Sequence, residues 1–161
     1  MAKENLEIPK KLMICLRKEG RKGKTGTIKA LTEILMPNPA AMNTKWHEPD
    51  TPPKNWKEWP WDICVATKAK GKFIGLCSFG DIPGPINSGL EFLGNQNCDI
   101  IFCACRTKGA TVQAVRKKAK KFGYTIVWTS PYVDNAPPKD EPTQWQKYLN
   151  TKKAKHLEDF I

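Results

Sequence analysis

The chain has 161 residues, of which 27 are basic and 16 acidic, giving a formal net charge of +11, with 40% apolar and 27% charged side chains. That length suits one domain with a real hydrophobic core, and the composition excludes the disordered and fibrous classes. Its apolar runs fall far short of the roughly 18 residues of a membrane span, and the polar start at residues 1–5 has no apolar segment behind it, so neither a membrane protein nor a secretory signal is expected.

Residues 11–16 form a short apolar run of strand length, followed by a glycine-punctuated basic loop over residues 17–27. Ile28, Leu31, Ile34 and Leu35 then recur at helical spacing until Pro37 stops the helix. Six prolines and Trp46, Trp56 and Trp59 fall within residues 37–60, which predicts a long loop. The runs 61–67 and 73–79, joined through Gly71, predict a β-hairpin. Gly80 to Gly84 ends the second run, and Ile86, Leu90 and Leu93 predict a helix behind it. Residues 99–105 read as a strand covered on both faces. Val112, Val115, Ala119 and Phe122 mark an amphipathic helix, with Arg116, Lys117, Lys118, Lys120 and Lys121 outside and Gly123 as its cap. Residues 124–128 supply another strand, residues 131–142 are proline-rich, and a polar helix around Trp145, Tyr148 and Leu149 closes the chain. Strands alternating with helices predict a three-layer α/β fold with a mainly parallel sheet, residues 11–16 central, and one antiparallel hairpin strand. The chain reads as a single domain over residues 1–161, with a core at about 10–131.

Cys15, Cys64, Cys77, Cys98, Cys103 and Cys105 lie in or beside these apolar runs, without a C-x-x-C pair, and His47 and His156 are the only histidines. They read as reduced, buried thiols in a cytoplasmic protein, not as a disulfide framework or zinc site.

The chemistry concentrates after the first strand. Gly23-Lys24-Thr25 at a helix start offers unpaired amides and close backbone approach to an anion, within a loop that also holds Gly20, Arg21, Lys22 and Gly26. Lys24 would place a point charge near the β- and γ-phosphates, and the Thr25 hydroxyl would ligate Mg²⁺.

This stretch resembles the Walker A motif of P-loop NTPases. Asp81-Ile82-Pro83-Gly84 at a strand end resembles the D-x-x-G element of small GTPase-like proteins, in which the aspartate sits near the metal and the glycine N–H touches the γ-phosphate. Residues 74–81 and 98–111 are also similar to stretches of small P-loop ATP-binding proteins of microbes and their viruses. The resemblance implies a P-loop NTPase-like fold, ATP and Mg²⁺ as cofactors, Thr25 and Asp81 at the metal, and Gly84 at the nucleotide. Lys18 stands where Walker A has its first glycine, Gly26 replaces a hydroxyl residue, and no N-K-x-D guanine-reading motif follows the last strand. Adenine, or no strong base preference, is therefore expected.

Arg106 sits where a parallel strand's carboxyl end meets the next helix, and would clamp a phosphate or an acidic second substrate. Lys24, Asp81 and Arg106 are thus the candidate catalytic residues. Asp99 opens its strand at the opposite edge and is discounted. Ser78 and Thr129 read as partners of local backbone groups, and Trp56, Trp59 and Trp61 as hairpin packing or a lid. Two function classes follow: a Mg²⁺-dependent ATPase or phosphoryl transferase, or a catalytically degenerate P-loop domain, viral or host-directed, that binds nucleic acid or a protein partner through its basic surface. A solvated helix face is the plainer reading of that surface.

Overall fold

Met13, Ile14, Cys15 and Leu16 are apolar in succession, and a strand buries all four only when both of its faces are covered. The computed structural model, which describes residues 9–19, 23–39, 44–56, 59, 61–133 and 142–161, supplies both covers. In chain order its elements are β1 (Leu12–Arg17), α1 (Lys24–Leu35), β2 (Thr44–Glu48), β3 (Cys64–Ala69), β4 (Lys72–Cys77), α2 (Pro83–Asn95), β5 (Ile100–Cys105), α3 (Ala110–Phe122), β6 (Thr125–Thr129) and α4 (Pro142–Glu158). Ile14 and Leu16 pack with Ile28 and Leu31 of α1 and Ala154 and Leu157 of α4. Met13 and Cys15 point the other way, into the layer of α2 and α3. All six cysteines are unpaired and buried in that second layer, where burial pushes the Cys98 thiol up to about 12.

The sheet runs β2-β3-β4-β5-β1-β6. β4, β5, β1 and β6 are mutually parallel, and β3 opposes both of its neighbours, so it is the single reversed strand. The α/β class and the mainly parallel sheet are as expected, but β1 is not central. β5 returns between β4 and β1, and β1 lies one strand from the edge. The hairpin connection is also tighter than predicted. Lys70 and Gly71 both have positive φ (50° and 77°), and two such residues give a turn whose twist matches the flanking strands.

The predicted loop over residues 37–60 contains a strand. β2 pairs antiparallel with β3, with Trp46 facing Val65. Its sequence, Thr-Lys-Trp-His-Glu, has one large apolar residue in five and prolines on either side, the pattern of an edge strand paired on one side only. Trp56 and Trp59 pack against the α1 layer, their indoles donating to the Met36 carbonyl (2.9 Å) and the Asp62 carbonyl (2.9 Å). Trp61 does not pack, and its side chain is 69% exposed.

The basic face of α3 is largely spoken for. Lys118 and Lys121 both donate to Glu91 of α2 (2.7 and 2.5 Å), and Arg116 lies 5.1 Å above the Trp128 ring, with Arg17 at 5.2 Å from the same ring. The hydrogen bonds from Lys118 and then Lys121 hold the Glu91 carboxyl below its ordinary value of 4.5. A lowered carboxyl value means that the clasp contributes fully above that ordinary value and is lost as pH falls through the lowered one. In a carboxyl NMR titration Glu91 should therefore show a midpoint below 4.5, returning toward it in a Lys118→Met, Lys121→Met variant. Equal midpoints in the two proteins would mean that the clasp does not form in solution.

Among the described residues, no helix is long and apolar enough to cross a membrane.

Candidate functional site

Because β1, β4, β5 and β6 are parallel, their carboxyl ends share one edge of the sheet, and the chain turns there into α1, α2 and α3. Gly23 precedes α1 with φ of 85°, a left-handed conformation that glycine adopts without strain. Gly23 has no side chain with which to cap this helix, and no acidic residue stands in its first turn. The Thr27 hydroxyl turns back to the Gly23 carbonyl (2.7 Å). As at any helix start, the first-turn amides have no intrahelical acceptor.

Lys24, the first residue of α1, is only 4% exposed. Its ammonium donates to the Lys18 carbonyl (2.7 Å), the Cys105 carbonyl (3.3 Å) and Asp81 Oδ1 (3.1 Å). Three acceptors for three N–H groups is what a buried ammonium requires. Arg106, following β5, brings its Nε to 3.7 Å from the same Asp81 oxygen, and both Arg106 and Asp81 are about half exposed. The three residues expected to carry catalysis thus form one cluster, spanning the ends of β4, β5 and β1. The Arg106 loop is tied down where the chain enters α3, its backbone N–H donating to the Thr111 hydroxyl at 3.0 Å.

Thr25 looks elsewhere. Its hydroxyl donates to Asp62 Oδ1 (3.2 Å) and lies 3.4 Å from the Ser78 carbonyl. Asp62 Oδ1 also accepts from the Ser78 hydroxyl (2.8 Å), which in turn accepts from the Ile63 N–H (2.8 Å), so Ser78 does serve local backbone as read from the sequence. Asp62 was not among the residues singled out by motif. Its signal in the sequence is a lone carboxylate inside the run Trp-Pro-Trp-Asp-Ile, directly ahead of a buried strand.

Two carboxylates therefore flank the start of α1, Asp81 beside the lysine and Asp62 beside the threonine. The Thr25 hydroxyl, the Asp62 carboxylate and the Ser78 carbonyl are hard oxygen donors. Among the described residues no group of three or more His, Cys, Asp or Glu side chains gathers as a metal cage. A few hard oxygens without a cage fit Mg²⁺, which keeps waters and takes its remaining ligands from phosphates.

Gly26 also faces α4. A side chain there would collide with the Asn150 amide of α4, and one at Gly23 would meet Gln146 Nε2 at 2.7 Å. α4 thus rests on the first turn of α1, and this close approach explains glycine where the motif has a hydroxyl residue. Thr129 was expected to serve local backbone, but its hydroxyl accepts from Lys153 of α4 (2.7 Å), a buried lysine whose value burial lowers. Gly84 lies in the first turn of α2 with open space beside it. Gly20, Arg21 and Lys22 lie outside the described residues. Asp99, discounted as catalytic, accepts from the Phe73 N–H (2.8 Å) at the far edge.

Comparison with protein-family models, with curated proteins and with solved structures found no match.

Proposed function

We propose that the protein binds a nucleoside triphosphate, ATP, together with Mg²⁺ at this edge, and hydrolyses it or transfers its γ-phosphoryl group. The observation that carries the reading is the buried Lys24. An ammonium at the start of a helix opposes the helix dipole, and its placement gains nothing for the helix itself. It does fit an anion seated on the same uncapped amides. On this reading Lys24 exchanges its contacts with the Lys18 and Cys105 carbonyls for phosphate oxygens, and the Asp81 carboxylate keeps the ammonium aimed at them. Arg106, half exposed and next to Asp81, is free to swing onto a terminal phosphate or a second anion. Thr25 and Asp62 would hold Mg²⁺, which when bound neutralises charge on the phosphates. The buried, unpaired thiols accord with a reducing, cytoplasmic setting.

A second reading, a degenerate domain that binds nucleotide, nucleic acid or a protein partner without turnover, is favoured by two features. Lys24 is already saturated by three protein acceptors, and α4 is seated on the turn that would face the phosphates. The basic surface adds less to a nucleic-acid role than the sequence implies, because Lys118, Lys121 and Arg116 of α3 are engaged within the fold.

Calorimetry with ATP, ADP and GTP, with and without Mg²⁺, and a phosphate-release assay separate the two readings. Mg²⁺-dependent ATP binding with phosphate release is the expected result. Binding without release selects the second reading. No binding of any triphosphate removes the first reading and the nucleotide-binding form of the second.

A further inference from the structure

A cavity of about 440 Å³ opens beside the phosphate edge and shares Asp62 with it. β2 contributes His47 and Glu48 to its wall, the entry to β3 contributes Trp61 and Asp62, and Phe79 lies beyond the end of β4. Its charge is opposite to that of the molecule. In a chain of net charge +11, the described lining residues include two carboxylates and no lysine or arginine. One wall is already fixed in shape: the His47 ring stacks on Phe92 at 4.9 Å between centroids, and its Nε2 lies 3.1 Å from the Ser88 hydroxyl. Opposite chemistry is offered by Trp61, a large aromatic face 69% exposed at the cavity, although Trp56 and Trp59 nearby are packed.

These features select a ligand class. A phosphate or carboxylate entering the cavity would meet Glu48 and Asp62 with no lysine or arginine among the described lining residues, and like charges brought together out of water repel strongly. A cation gains from both carboxylates and from the negative face of an indole. A flat organic body gains from the partly buried Phe79 and from Trp61. We infer that the cavity between β2, the entry to β3 and α2 is a binding site for an organic cation with a planar ring, an arylalkylammonium in its simplest form. Its binding stands on the cavity alone.

Tyramine is the probe, with 4-hydroxyphenylacetate as the anion of matching ring, each titrated into the full chain by calorimetry and followed by tryptophan fluorescence. Tyramine should bind saturably in the millimolar range or tighter, and the anion roughly tenfold or more weakly. Glu48→Gln and Trp61→Ala should each weaken tyramine severalfold, and near-UV circular dichroism should show both variants folded, since one change is isosteric and the other removes an exposed side chain. Equal or tighter binding of the anion, no saturable tyramine binding at millimolar concentration, or indifference of folded variants to both substitutions would overturn the inference. Failure of ATP to bind would leave each of these tyramine results standing, so the two readings fail separately.

Discussion

Replacing Lys24 with alanine should weaken Mg²⁺-ATP binding by roughly tenfold or more, because charge-assisted contacts of this kind are worth about 1.5–3 kcal/mol. From the sequence Lys24 belongs to no apolar face, and the substitution reads as harmless to folding. The structure adds a stability cost to that expectation. Lys24 is buried, and its loss takes the donor from the Lys18 carbonyl, while the Cys105 carbonyl keeps the Lys18 N–H and Asp81 keeps Arg106. An unsatisfied buried acceptor costs about 1–3 kcal/mol, so the variant should also unfold at lower denaturant. Lys24→Met separates the two effects. The methionine stem refills most of the volume and should recover part of the stability, while ATP affinity stays at the alanine level. Titration of ATP and urea unfolding on both variants provide the check. Undiminished ATP affinity in either folded variant would mean that this edge does not hold phosphates.

Much of the fold was legible because its signals are local and repeated. The all-apolar runs at Met13–Leu16 and Ile100–Cys105 can only be strands with two covers, and Val112, Val115 and Ala119 define one face of α3. β2 was not legible, since a single tryptophan among polar residues and prolines carries almost no period-two pattern. Strand order escaped for another reason: nothing local says that β5 inserts between β4 and β1. The site divides in the same way. Lys24 was found from Gly-Lys-Thr at a helix start and Asp81 from its resemblance to a D-x-x-G element, whereas Arg106 was found because it follows a strand at the shared carboxyl edge. Asp62 and the α4 contacts at Gly23 and Gly26 depend on tertiary approach between segments distant in sequence, and no motif records them.

The second large effect is expected at Gly80, just past the end of β4 and one residue before Asp81. A Cβ there would stand 2.9 Å from Ala104 Cβ and 3.2 Å from the Ala104 carbonyl carbon. Backbone cannot rotate away as a side-chain tip can, so Gly80→Ala must push the end of β4 off β5. Overpacking of this kind costs about 1–3 kcal/mol. It also carries Asp81 away from Lys24, where the ion pair spans 3.1 Å, without deleting either charge. Stability and ATP affinity should therefore fall together. Ala104→Gly removes the obstructing methyl and by itself should cost about 0.5–1 kcal/mol as a strand glycine. Combined with Gly80→Ala it should restore part of what the first change lost, giving a coupling on the order of 1 kcal/mol in a double-mutant cycle measured by urea unfolding. Strict additivity of the two substitutions would show that the close approach of β4 to Ala104 does not set the position of Asp81. The lysine–aspartate geometry would then have to be held by the Arg106 loop instead.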